Sequence, residues 1–355
     1  MPVNKIWILL RICVLLVMGL EANAQNPGFV NVKDYINNSN GDVSTAIQKA
    51  IDDNPHRVIY FPDGVYKLSK PILTPADPHK SVALELSNYA IVQPEDGWKH
   101  EQAMICLGGK DPYNTILIDG SNYYLSGGVI DCRGKASAIS IDCGRETSVR
   151  NVSIKNAQTG IHIKKGLNGG SSDADIFGVN ITGNMDKNSV GILTEGHDNT
   201  ITNVRIYRMQ TGVELKSGAN ILRNVHALYG TVEESLYAAG IGFSDKTGNN
   251  WYDFCYSDQY ATGFLIESGI SIYHDCFAFW FSNRGTKHTA FRSVKPFNSI
   301  VTNFTMGVNR KNAVKENIIL EEAKGTPKGT GRIQNLVIIV PDLITSDSYK
   351  KYTVN

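Results

Sequence analysis

The sequence predicts an all-β chain wound as a right-handed parallel β-helix with an N-terminal capping helix. Three observations predict it. A phrase of glycine and alternating apolar residues returns at Gly160-Ile161-His162-Ile163, Gly191-Ile192-Leu193-Thr194, Gly212-Val213-Glu214-Leu215, Gly240-Ile241-Gly242-Phe243 and Gly263-Phe264-Leu265-Ile266. A second phrase, Asn or Asp followed by alternating apolar residues, returns at Asn151-Val152-Ser153-Ile154, Asn203-Val204-Arg205-Ile206, Asn224-Val225-His226-Ala227 and Asp253-Phe254-Cys255-Tyr256. Such a fixed period of short strands marks a solenoid. The third observation is an amphipathic pattern at 43–52 ahead of the strands, since the open end of a solenoid core needs a cover.

The elements follow in order. Residues 1–24 read as a secretory leader: Lys5 and Arg11 are basic, Ile12 to Leu20 is apolar, and Ala22-Asn23-Ala24 is a small-residue cleavage site. The apolar core is too short to span a bilayer. The mature chain is therefore expected to start near Gln25, to be secreted or periplasmic, and to carry no membrane span. Removing the three leader charges Lys5, Arg11 and Glu21 brings the formal net charge from +1 to zero. That balance argues against nucleic acid as a partner.

Residues 25–80 form a strand-and-helix cap. Phe29 to Tyr35 alternates like a strand. Asp42 or Ser44 can cap a helix with Ala46, Ile47, Ala50 and Ile51 on one face. Val58 to Tyr66 reads as strand, Pro-Asp-Gly turn, strand. From 81 to 342 the short strands run as one β-helix, with a bare coil of about 21–23 residues set by Gly191 to Gly212 and Gly240 to Gly263. Three stretches exceed it: the Gly-Ser-Asp run around 166–173, then 229–237 and 281–288. The last two follow the same strand and should wall one face. Residues 343–355 read as a polar loose tail. The five cysteines beyond the leader, Cys106, Cys132, Cys143, Cys255 and Cys276, read as buried apolar residues, although Cys132 with Cys143, or Cys255 with Cys276, could face each other.

The opening Phe29-Val30-Asn31-Val32-Lys33-Asp34-Tyr35, the helix after Gly41-Asp42, and Val58-Ile59-Tyr60-Phe61-Pro62-Asp63-Gly64-Val65-Tyr66 resemble the N-terminal signature of pectate-lyase-like β-helix proteins. That superfamily includes polysaccharide lyases, glycoside hydrolases, epimerases and phage tailspikes. The stretch Asn249 to Tyr260 with Ile272 to Cys276 is similar to secreted bacterial lyases of this fold, including those acting on chondroitin-type glycosaminoglycans. The resemblance implies an anionic polysaccharide as partner and leaves a homo-oligomer, such as a trimer, open.

Outward columns separate surface from chemistry. One runs Ser140, His162, Leu193, Glu214, Gly242, Leu265, Arg292. The next runs Asp142, Lys164, Glu195, Lys216, Ser244, Glu267, alternating in sign as a cross-strand surface ladder does. Asn151, Asn203, Asn224 and Asn303 recur at one turn position and read as a structural stack.

The second strand carries a different set. Its outward column is read as Arg205, His226 and Cys255, followed by Tyr207 and Arg208, Tyr229, then Asp258, Gln259 and Tyr260, then Phe279 and Trp280. The inserts add Tyr237, Arg284, Lys287 and His288. Carbohydrate grooves combine flat aromatic surface with a few placed polar groups. β-Elimination on a uronate needs a cation on the carboxylate, a base for the adjacent proton and an acid for the leaving oxygen. Arg205 and Arg208 suit the first role, His226 the second and Tyr229 the third; Tyr207, Tyr237, Asp258, Gln259, Tyr260, Trp280, Arg284, Lys287 and His288 would bind sugar. No cofactor is required by this chemistry and no metal ligands are assigned, although Asp173 and Asp175 could take calcium. Hydrolysis would need two carboxyl groups, with Asp173, Asp175, Glu233, Glu234, Asp258 and Asp275 as candidates. A non-catalytic carbohydrate-binding or surface module is the third reading.

Overall fold

A computed structural model describes residues 28–38, 41–111, 123–165, 171–230, 234–282 and 284–354. The leader 1–24, most of the Gly-Ser-Asp run and Glu233 lie outside the described residues. The chain is a right-handed parallel β-helix with a helical cap at its N-terminus.

The cap begins with a strand at Phe29–Asn31, parallel to Val58–Phe61. The strand is shorter than its alternation suggests. The Asn31 side chain accepts from Lys33 N at 2.9 Å and starts a short helix, Val32–Asn37. The main capping helix is Val43–Asp52. Asp42 Oδ2 accepts from Thr45 N at 2.8 Å, the N-cap bond that satisfies a free helix donor. Ala46, Ile47, Ala50 and Ile51 are buried on its core face. Ser44 serves elsewhere, accepting from Ser69 N at 2.8 Å. Strands Val58–Phe61 and Gly64–Leu68 already pair in parallel with Ala83–Pro94, so they belong to the stack of coils.

Two large parallel sheets form the walls, and a short parallel pair, Gly144–Arg145 with Ser171–Ser172, lies beside them. The ten-stranded sheet stacks one strand per coil, including Thr159–Ile163, Val190–Thr194, Thr211–Leu215, Ile241–Asp245, Thr262–Ile266 and Lys287–Ser293. Its inward column runs Ile161, Ile192, Val213, Phe243, Phe264, Phe291 and Leu320. The phenylalanines stack, Phe243 on Phe264 at 4.9 Å and Phe264 on Phe291 at 5.1 Å. Beside this column the backbones come too close for a side chain: a Cβ on Gly191 would lie 2.5 Å from Gly212 O.

Register corrects the repeat at one coil. Gly212 faces Gly242, not Gly240, because Thr211 pairs with Ile241 and Val213 with Phe243. This two-residue slip keeps each side chain on its face. The outward columns are therefore Glu214–Ser244–Leu265 and Lys216–Lys246–Glu267. Lys164–Asp142 (2.8 Å), Lys216–Glu195 (3.6 Å) and Lys246–Glu267 (2.5 Å) form ion pairs along the second column.

The second sheet is kinked. Its long strands, such as Thr200–Tyr207 and Ile221–Leu228, carry one left-handed residue in mid-course: Asn203 has φ +56° and Asn224 φ +52°. In later coils the kink splits the strand, giving Trp251–Asp253 with Tyr256–Asp258 and Ile272–His274 with Phe277–Trp280. Asn224 Nδ2 donates to Asn203 Oδ1 at 2.7 Å and Asn335 Nδ2 to Asn303 Oδ1 at 2.9 Å, so the asparagine stack holds the kink. A second ladder, Asn199–Asn220–Asn250, is buried at another corner, linked at 2.8 and 2.9 Å.

The five cysteines beyond the leader are buried, and none is in a disulfide among the described residues. The tail is no loose end. Thr353–Val354 pairs with the strand Arg332–Gln334, and Tyr352 is buried against Phe297 with ring centroids 5.0 Å apart. Its apolar ring covers the last coil. Among the described residues no helix is long and apolar enough to cross a membrane.

Candidate active site

The second half of the kinked strand builds the site. Parallel register sets Asn180, Arg205, His226, Tyr256 and Phe277 in one outward column. Each step is one strand spacing, about 4.8 Å. The kink positions Gly178, Asn203, Asn224 and Phe254 run alongside. Between the two columns lies a groove of about 480 Å³ lined by Gly178, Asn180, Asn203, Arg205, Asn224, His226, Phe254 and Tyr256.

The imidazole of His226 lies flat on the Tyr256 ring, centroids 4.4 Å apart and planes 9° from parallel. Its Nε2 is buried and turned to Asp258, 3.4 Å from Oδ2, without the alignment of a hydrogen bond. Asp258 is buried and receives Gln259 Nε2 on Oδ1 at 3.0 Å. Burial, with the Asp258 carboxylate beside it, pushes the Tyr256 phenol far above its ordinary value. A hydrogen bond to Asp258 adds to the rise, and the phenol is protonated at neutral pH. Arg205 is exposed, and among the described residues its guanidinium has no acidic partner. Among the described residues no carboxylate lines the groove.

Of the residues picked from sequence, the structure brings Arg205, His226 and Asp258 together. Cys255 is not in the column. Phe254, rather than Asp253, occupies the kink, so Tyr256 faces out and Cys255 faces in. That one-residue slip flips the face and hid both Tyr256 and Phe254. Tyr207 and Arg208 are exposed at the end of their strand, outside the groove lining.

Five aromatic candidates are core instead. Tyr229, Tyr237, Tyr260, Trp280 and His288 are buried. Strand alternation explains two of them: with His226 and Leu228 outward, Tyr229 turns inward, and Trp280 follows outward Phe279. Tyr260 lies two residues beyond outward Asp258, and the left-handed Gln259 between them (φ +63°) breaks the alternation and turns it in. They pack edge to face, Tyr229–Tyr237 at 5.4 Å and Tyr229–Tyr260 at 5.1 Å, with Trp280 stacked on His288 at 5.1 Å. Their polar tips are used internally: Tyr229 with Gln210 at 3.2 Å, Tyr260 donating to Met209 O at 3.1 Å, Trp280 Nε1 to Tyr260 O at 2.6 Å. Burial depresses the His288 pKa to about 4. The described insert residues Tyr229, Tyr237 and His288 therefore fill the inside of the coil. Arg284 Nη1 ties the two inserts together by donating to Gly230 O at 2.8 Å. Gln259 Oε1 anchors the second insert through Ser282 N at 3.1 Å and Ser282 Oγ at 2.7 Å. Lys287 lies on the ten-stranded sheet, paired with Glu321 at 2.6 Å.

The calcium candidates do not converge. Asp173 pairs with Arg145 at 2.6 Å and Asp175 pairs with Arg150. Asp253, His274 and Asp275 do bring ligand atoms within 4.8 Å of one another. His274 Nδ1 lies 3.1 Å from Asp253 Oδ1 and 3.3 Å from Asp275 Oδ2, while Arg223 Nε sits 2.9 Å from Asp253 Oδ2. The arginine already supplies the positive charge that a metal would bring.

The sequence matches no protein-family model and no curated protein. Solved structures do resemble the chain. The catalytic domain of a GH87 α-1,3-glucanase superposes with TM-score 0.60 at 12% identity, over 88% of this chain and 59% of that one. The tailspike protein of E. coli bacteriophage HK620 gives 0.60 at 12%, over 87% and 65%. An endo-xylogalacturonan hydrolase from Aspergillus tubingensis gives 0.56 at 14%, over 90% and 96%. The chain thus spans less than two thirds of the glucanase and tailspike structures. At such low identity these likenesses assign the chain a fold, the right-handed parallel β-helix.

Proposed function

We propose that the groove binds an anionic, uronate-containing polysaccharide and cleaves it by β-elimination. One observation carries the reading: Arg205, a guanidinium with no acidic partner among the described residues, lies one strand from His226 in a groove that none of their carboxylates lines. Arg205 would hold the uronate carboxylate and the negative charge that spreads onto it. His226 would take the proton from the carbon next to that carboxylate. Since Nε2 is buried toward Asp258, the proton goes to Nδ1, and Asp258 steadies the resulting imidazolium. The electron pair forms a carbon–carbon double bond as the glycosidic oxygen leaves, and Tyr256 would protonate that oxygen. Tyr229, buried, has no part in this scheme.

Glycosaminoglycan of the chondroitin, dermatan or hyaluronan type is the first substrate class, pectin or alginate the second. Export through the leader at 1–24 belongs to the same proposal. The carbohydrate-processing proteins among the structural neighbours support a sugar polymer as ligand. They favour hydrolysis as much as elimination, and Asp253 with Asp275 beside His274 is the acid pair that hydrolysis would use.

The test is incubation with chondroitin sulfate, hyaluronan, polygalacturonate and alginate. New near-ultraviolet absorbance from unsaturated uronate ends is the expected result. Saturated reducing ends without it would establish hydrolysis instead. Binding to these polymers with no turnover would establish a binding module.

A further inference from the structure

The kink column admits a narrow set of residues. Its occupants are Asn151, Gly178, Asn203, Asn224, Phe254, Asp275, Asn303 and Asn335, all with φ between +50° and +66°. Glycine, asparagine and aspartate tolerate this left-handed conformation, and a bulky side chain there is strained. Phe254, at φ +52°, is the one exception. It also interrupts the amide stack, since Asn224 bonds back to Asn203 but meets a phenyl ring on its other side. The ring finds little cover: His274 meets it edge to face at 6.5 Å, yet Phe254 stays 53% exposed and forms part of the groove wall beside His226 and Tyr256. Neither local conformation, nor the ladder, nor core burial accounts for a phenylalanine here.

We infer that Phe254 is a strained aromatic platform that stacks against a sugar ring of the polymer in the groove, trading fold stability for ligand affinity. Strain of this kind persists where the surrounding structure over-determines it, and it gathers at ligand sites. The surface offered is the flat phenyl face, which suits the apolar C–H face of a pyranose. The inference rests on the proposal that the groove binds polysaccharide, but not on the reaction run there.

The experiment compares wild type, Phe254→Asn and Phe254→Tyr by thermal unfolding and by calorimetric titration with chondroitin sulfate, polygalacturonate, alginate and neutral dextran. Asparagine restores the column's own residue, so Phe254→Asn should melt about 2–4 °C higher. It should bind the tightest of the four polymers about tenfold more weakly. Phe254→Tyr keeps ring and strain and should match wild type in both. A Phe254→Asn protein that melts at or below wild type, or binds equally well, overturns the inference; so does a wild type that binds none of the four. A wild type that binds but yields no unsaturated product removes the elimination reading alone, and the two Phe254 comparisons still decide this one.

Discussion

His226 and Tyr256 lie face to face on successive coils, ring centroids 4.4 Å apart and nearly parallel. The pair puts a base and a protonated phenol at one point of the groove. His226→Ala should lower kcat by about 10²–10⁴-fold, the usual worth of general acid–base catalysis. Tyr256→Phe keeps the stack and removes only the hydroxyl, so it should lower kcat with little change in KM. Initial rates of double-bond formation check both; equal rates for wild type and Tyr256→Phe would remove the phenol from the chemistry.

Arg205 and Arg208 should separate. Arg205 lines the groove and Arg208 does not. Arg205→Ala should cut kcat/KM by at least about tenfold, with Lys only partly restoring it, because a point charge cannot reproduce a two-pronged grip. Arg208→Ala should stay within about threefold of wild type. Steady-state kinetics at fixed ionic strength makes the comparison.

Tyr229→Phe removes a buried hydroxyl that meets Gln210 at 3.2 Å. The expected cost is about 1 kcal/mol of stability with kcat unchanged. Denaturant unfolding beside an activity assay distinguishes this from a catalytic phenol, which would show the reverse.

Acid should weaken the fold through His288. Burial holds its imidazole neutral down to about pH 4, whereas in the unfolded chain it charges near 6.5. The unfolded state therefore binds the extra proton first. The stability contributed by the neutral form is complete above about pH 6.5 and is lost as pH falls toward 4, a swing of roughly 3 kcal/mol. His288→Phe should flatten the pH dependence of the unfolding midpoint over that window. An unchanged slope would place the acid sensitivity elsewhere.

Gly191→Ala should destabilise by about 1–3 kcal/mol, since its Cβ would lie 2.5 Å from Gly212 O. Gly97→Ala, where nothing lies within 4 Å, is the control and should be near neutral. Melting temperatures of the two variants test whether the glycine column sets coil spacing.

The period of the chain made the coil legible, and the sign alternation of Asp142, Lys164, Glu195 and Lys216 made the surface ladder legible. Slips in register had unequal costs. Taking Gly240 for Gly242 moved the frame by two and left each residue on its correct side. Taking Asp253 for Phe254 moved it by one and exchanged Tyr256 for Cys255. That error arose because the kink carries phenylalanine where every neighbouring coil offers a residue suited to a left-handed turn. Tyr229, Tyr260 and Trp280 mislead for another reason: aromatic residues near long loops look like sugar platforms, yet alternation from His226 and Phe279 already points Tyr229 and Trp280 inward, and the left-handed Gln259 turns Tyr260 the same way. The inserts gave no sign in sequence that Tyr237 and His288 would fill the core.

Arg205, His226 and Tyr256 are neighbours by stacking alone, one to each coil. A duplicated coil placed between Arg205 and His226 would fold as readily as its template. It would also carry the guanidinium another strand spacing, about 4.8 Å, away from the imidazole. Lengthening at either end of the stack would leave that distance untouched. The solenoid is therefore free to grow at its ends and frozen in its middle, and the span from 205 to 256 is where whole-coil gains and losses should be absent among its descendants.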